Sequence, residues 1–133
     1  MVEADMTVKV KDLMSYPVVT VRPKSAVIEA IQVMVKGRKG CVLVAREGLL
    51  KECMGIVTTG QIFRRVFDAS LDPAKVLVDE IMTPAPLIAI GPNASAKEAA
   101  ELMLRHGVRR LPVIEKGMLV GMITSKDLLG CVQ

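Results

Sequence analysis

Apolar positions along the chain recur first at strand spacing and then at helix spacing, and this progression occurs twice. Val18-Val19-Thr20-Val21 and Leu87-Ile88-Ala89-Ile90 are short β-prone runs, each stopped by a proline two places later, Pro23 or Pro92. Helical spacing follows: Val27, Ala30, Ile31 and Met34 before Gly37, then Ala99, Leu102, Met103 and His106 before Gly107. Ser95 with Glu98 adds a capping-box signature, and Gly107 is a helix stop. Two further strands are predicted in each half: Cys41 to Ala45 with Cys53 to Val57, and Leu111 to Ile114 with Leu119 to Ile123. Glu115-Lys116-Gly117 reads as a short hairpin turn, whereas Arg46 to Lys51 is about three residues longer. A second helix closes each half, Thr59 to Phe67 or Ser125 to about Leu129, and Asp68 to Pro73 is the connector.

The halves are copies. Val10-Lys11-Asp12-Leu13-Met14-Ser15 answers to Val78-Asp79-Glu80-Ile81-Met82-Thr83, and from Pro17 and Pro86 onward Pro23, Glu29, Met34 and Val44 match Pro92, Glu98, Met103 and Val113. A long period found twice predicts two similar units that complete each other's core. The expected division is an arm over 1–9, repeats over 10–67 and 78–133, and a linker over 68–77. The expected class is α/β (α+β), built from two β-α-β-β-α units.

With 51% of its 133 residues apolar, the chain has enough for one good core but not for two domains of average size. No apolar run approaches the roughly 20 residues needed to cross a bilayer, and Met1 to Asp5 lacks the basic start and apolar run of a secretory signal. A soluble, cytoplasmic protein without membrane attachment is expected. Cys41, Cys53 and Cys131 are widely spaced with no C-x-x-C pattern, so neither a disulfide framework nor, even with His106, a metal site is predicted. The nine methionines include Met14 and Met34, which match Met82 and Met103, as expected of flexible core filling. A net charge of +4 and pI near 9.1 favour an anionic partner. With no Trp, one Tyr and two Phe, there are almost no aromatic platforms for single-stranded bases. A small phosphorylated ligand fits as well. Neither a nucleophile–base pair at recognisable spacing nor a Walker-type glycine loop is present, and no enzymatic activity is expected.

Gly121-Met122-Ile123-Thr124-Ser125-Lys126-Asp127 takes an apolar strand to a threonine and opens a helix with an aspartate in its first turn; Gly55-Ile56-Val57-Thr58-Thr59-Gly60-Gln61 is its imperfect earlier copy. Thr124 and Ser125 would present a hydroxyl and unpaired backbone N–H groups to a phosphate. Asp127 offers two carboxylate oxygens, enough for both hydroxyls of a ribose, and Gly121 would let a ligand approach the backbone. An aspartate in the first turn also stabilises a helix by itself.

The tandem repeat, with Met82-Thr83 before a strand, Ile90-Gly91-Pro92 after it, Arg109-Arg110-Leu111-Pro112-Val113, and Gly121 through Asp127, resembles the CBS-domain family over nearly the whole chain. The resemblance implies a Bateman module: two repeats related by a pseudo-twofold axis, sheets packed together with helices outside, and two clefts that often hold AMP, ADP, ATP or S-adenosylmethionine. It also implies a homodimer formed through helices. In the second site it would place Thr83, Ala85, Pro86 and Leu87, then Val108 to Pro112, around the base, with Leu87, Val108 and Leu111 against the ring. His106, Arg109 and Arg110 would supply charge near the phosphates; as an alternative they form a solvated helix end that complements the helix dipole. The matching first-site set is Ser15, Pro17, Val18, Lys39, Gly40, Thr58, Thr59 and Gln61. There Gln61 replaces the aspartate and Gly60 replaces Lys126, so that site is expected to be weaker or vacant. The leading expectation is a regulatory nucleotide-sensing module that needs no obligatory cofactor and acts on a protein partner in trans. The alternatives are a nucleic-acid binder, prompted by Arg64-Arg65 and Arg109-Arg110, and a dimerisation scaffold with degenerate clefts.

Overall fold

A computed structural model describes residues 3–16, 18–46 and 53–132. In chain order the elements are α1 (Val10–Leu13), β1 (Thr20–Val21), α2 (Val27–Gly37), β2 (Cys41–Ala45), β3 (Cys53–Thr58) and α3 (Thr59–Ile62), which continues as a π-helical turn over Phe63–Phe67. Then come α4 (Val78–Ile81), β4 (Thr83–Pro84), α5 (Ala96–His106), β5 (Arg110–Glu115), β6 (Met118–Thr124) and α6 (Ser125–Leu128), ending in a 3₁₀ turn at Leu129–Cys131. The predicted long hairpin over Arg46 to Lys51 falls mostly outside the described residues, as does Pro17. No helix among the described residues is long and apolar enough to cross a membrane.

The elements form two compact units that are staggered against the sequence repeat: one is Val19–Pro86, the other joins the residues up to Val18 with those from Leu87 onward. The first unit holds a four-stranded sheet in the order β1-β2-β3-β4. β1 runs parallel to β2, with Val21 opposite Val44, while β2–β3 and β3–β4 are antiparallel. α2 buries Val27, Ala30 and Met34 into a core shared with Val44 and Val57, and α4 adds Val78 and Ile81 to it. Only one face of α2 is apolar enough to do this, as its spacing predicts.

In the other unit β5 and β6 form an antiparallel hairpin. Lys116 and Gly117 both take positive φ, 51° and 79°, as a two-residue turn that follows the right-handed strand twist requires. α5 lays Ala99 and Met103 on Leu111, Val113 and Ile123, and α1 completes this core with the fully buried Val10. The N-terminal residues are held here by backbone bonds: Asp5 N–H to Cys131 O at 2.8 Å and Ala96 N–H to Val8 O at 2.8 Å.

Three local expectations are revised. The predicted strand over Leu87 to Ile90 is a single parallel bridge, Ile90 to Val113, and the run over Val18 to Val21 pairs only at Thr20–Val21; the prolines that follow limit how far either segment can pair. The predicted helix from Thr59 to Phe67 changes from α to π at Phe63, where Asp68 N–H reaches back to Phe63 O at 2.8 Å. At α5 half of the expected capping box forms: Ser95 Oγ accepts the Glu98 amide at 3.1 Å.

Candidate functional site

β3 and β6 end in the same construction. Thr58 and Thr124 keep extended backbones, with φ −116° in both, and act as N-caps of α3 and α6. Thr124 Oγ1 accepts the Asp127 N–H at 3.1 Å, and Asp127 Oδ2 accepts the Thr124 N–H at 3.0 Å. In the earlier copy Thr58 Oγ1 accepts the Gln61 N–H at 3.3 Å, and Gln61 Oε1 accepts the Thr58 N–H at 2.7 Å. Both are reciprocal capping boxes, which explains why a threonine and an acceptor side chain recur three residues apart.

The boxes differ in what they leave over. Asp127 is half-buried, and its Oδ1 has no hydrogen-bond partner among the described residues. A carboxylate oxygen fixed in direction by its capping twin can accept from a polar ligand with little side-chain ordering still to be done. Gln61 is 5% exposed, and its Nε2 donates to Thr83 Oγ1.

The expected cradle of free backbone N–H groups is largely occupied. Thr124 and Asp127 bond each other, and Ser125 N–H donates to Arg109 O at 2.9 Å. That last bond brings the segment before β5 beside the start of α6. Arg109 and His106 are exposed and Arg110 is half-buried, so their charge sits on the chain that borders Ser125. The first copy repeats this bond: Thr59 N–H and Oγ1 both donate to Gly40 O, at 3.0 and 3.1 Å, with Lys39 exposed alongside.

Other predicted lining residues have structural duties. Leu111 has no exposed surface and belongs to the hydrophobic core, Pro112 beside it on β5 is buried, and Val108 packs on that core from the α5 end. Leu87 and Val18 are half-buried, while Ala85 and Pro86 are exposed. Gly121 is buried, and a Cβ there would run into Met14 Sδ and lie 3.1 Å from Ser15 O. Its bare Cα therefore admits the lead-in chain, not a ligand. The grouping of the lead-in residues also changes. Ser15, expected with Gln61, exchanges two backbone bonds with Met122, N–H to O at 2.9 and 3.1 Å, in the unit of Asp127. Thr83, expected with Asp127, is on β4 opposite Ile56 and bonds Gln61. The physical reason is antiparallel pairing: each lead-in segment adds to the edge of a strand far from it in sequence.

Two features escaped the sequence reading. Tyr16, the chain's single tyrosine, is 70% exposed beside Ser15. Phe63 and Phe67 meet edge to face, with centroids 5.3 Å apart, on an apolar groove of about 370 Å³ between α2, α3 and the π-helical turn. Lys39 and Thr59 line the same groove. Arg65, one of the arginines that suggested nucleic acid, has Nη1 bonded to Ile81 O at 3.0 Å. Burial pushes the Cys53 thiol up from its ordinary value, which favours the protonated form over the thiolate.

A family model for the CBS domain matches residues 10–68 and 78–133. The chain belongs to the CBS-domain family. As a CBS pair, a regulatory type of module, it is 34% identical over 119 residues to the CBS domain-containing protein YhcV of Bacillus subtilis (strain 168), spanning 90% of this chain and 81% of that one. Among solved structures, a hexameric CBS-CP12 protein from bloom-forming cyanobacteria matches with a TM-score of 0.82 and 29% identity, over 94% of this chain and 68% of that one. An uncharacterized conserved protein from Pyrococcus horikoshii matches with a TM-score of 0.83 and 29% identity, over 95% and 92%. The mixed α+β architecture, with its four-stranded and two-stranded sheets, is that of CBS pairs.

Proposed function

We propose that this CBS pair is a non-catalytic regulatory module that binds an adenosine-containing ligand, such as AMP, ADP, ATP or S-adenosylmethionine, at the turn held by Thr124 and Asp127. The observation that carries the reading is the uncommitted Oδ1 of Asp127, held in place by the capping box through Oδ2. Ribose hydroxyls donate to that oxygen. Arg109 and Arg110, whose segment is bonded to the start of α6, offer charge to phosphate or, for S-adenosylmethionine, hydrogen bonds to its carboxylate. Ser15 and Tyr16, on the chain paired with Met122, belong to the same compact unit. Two copies associate through apolar helical faces that include Phe63 and Phe67, which are 55% and 46% exposed. Bound ligand biases that association and so regulates a partner protein.

Titration calorimetry with AMP, ATP and S-adenosylmethionine tests this. Asp127→Asn keeps an oxygen for the cap and removes the charge, so it should bind at least about tenfold more weakly while melting near the wild type. Absence of heat from every one of these ligands on wild-type protein, up to millimolar concentration, would sink the proposal.

A further inference from the structure

Gln61 and Asp127 cap their helices in the same way, yet only Gln61 has its second polar atom engaged. The carboxamide spans two elements: Oε1 accepts from Thr58 N–H at the start of α3, and Nε2 donates to Thr83 Oγ1 on β4. At 5% exposure it presents almost nothing to solvent. Withdrawing it to meet a ligand would strip the N–H of the half-buried Thr58 of its partner, which is costly, and would break the side-chain bond that reaches the exposed Thr83. β4 is only two residues long, and beyond it Ala85 N–H bonds Met54 O at 2.9 Å. So short a strand gains proportionately from one side-chain bond.

We infer that Gln61 is a tie and not a ligand clamp: its buried carboxamide fastens β4 to the start of α3 and thereby closes the first repeat's counterpart of the Asp127 position, leaving one loadable site per chain. The ligand count rests on the adenosine-ligand reading; the tie does not.

The two parts are tested separately on the full chain. Thr83→Val removes the acceptor hydroxyl and leaves the cap on α3 intact, while Thr83→Ser restores the hydroxyl. Hydrogen exchange at the Ala85 amide should quicken about fivefold in the valine variant, return to the wild-type rate in the serine variant, and stay unchanged at α6 in both. Equal rates in wild type and Thr83→Val overturn the tie. Calorimetry with AMP, ATP and S-adenosylmethionine should give one ligand per wild-type chain. Gln61→Asp combined with Thr83→Val leaves a carboxylate oxygen uncommitted, as at Asp127, and should give two. Two ligands per wild-type chain, or one in the double variant, overturn the closure. No binding by wild type refutes the adenosine-ligand reading, and with it the count, while the exchange rates still decide the tie.

Discussion

Gly55 and Gly121 hold the same place in β3 and β6, and a methyl group added at either would run into a thioether, that of Met82 or of Met14, but the backbone atom behind it lies closer at Gly55. At Gly55 a Cβ would lie 2.6 Å from Thr83 O, a backbone atom fixed by the Gly55–Pro84 and Ile56–Thr83 pairing. At Gly121 the worst encounter is with the thioether of Met14, and the backbone atom, Ser15 O, is 3.1 Å away. A thioether can swing aside, whereas a paired carbonyl moves only with its strand. Gly55→Ala should therefore destabilise by about 1–3 kcal/mol, and Gly121→Ala by clearly less; urea midpoints of the two variants give the order. The sequence singled out Gly121, with Gly55 at the start of the earlier copy, but suggested a ligand as the reason for Gly121. The backbone that actually arrives comes from Met14-Ser15 or Met82-Thr83, and no local pattern says which strand a two-residue segment will join. In the same way, the exchange of aspartate for Gln61 was legible as a departure between copies. Its partner Thr83, 22 positions away, was not.

Among the elements, those that carry their own period were the legible ones. α2 and α5 run eleven residues each with one apolar face, and both occupy the expected positions. The segment from Leu87 to Ile90 has β-prone composition but a single bridge, because a strand exists only by virtue of the neighbour it pairs with. Helix caps lie between these cases: the residues were readable, the bonds only partly. Ser95 accepts from the Glu98 amide, but the Glu98 carboxylate makes no return bond among the described residues. Ser95→Ala should then cost about 1 kcal/mol, while Glu98→Ala loses only the interaction of a first-turn carboxylate with the helix dipole, about 0.3–1 kcal/mol at low ionic strength. Raising the salt concentration separates them, since thermal melts should show the Glu98→Ala deficit shrinking and the Ser95→Ala deficit persisting.

At the scale of the molecule, the repeat in the sequence and the compact units in space are offset. Family matching divides the chain at 10–68 and 78–133, yet Val10 is fully buried among Leu111, Val113 and Ile123, and Val78 is fully buried among Val27, Val44 and Val57. Each repeat thus begins with a short helix whose apolar side chain completes the core built by the other repeat's strands. Removing two buried methyl groups should cost about 1–3 kcal/mol at either position, but the loss should be felt in opposite halves. In Val10→Ala, hydrogen exchange should quicken in β5 and β6 and remain near wild type in β2 and β3; in Val78→Ala the pattern should reverse. Such cross-stabilisation makes each half depend on the chain of the other, so neither repeat, cut at its sequence boundary, retains its complete core. If each valine instead loosened the strands of its own sequence repeat, the staggered division would be wrong, and with it the placement of Ser15 with Met122 and of Thr83 with Gln61.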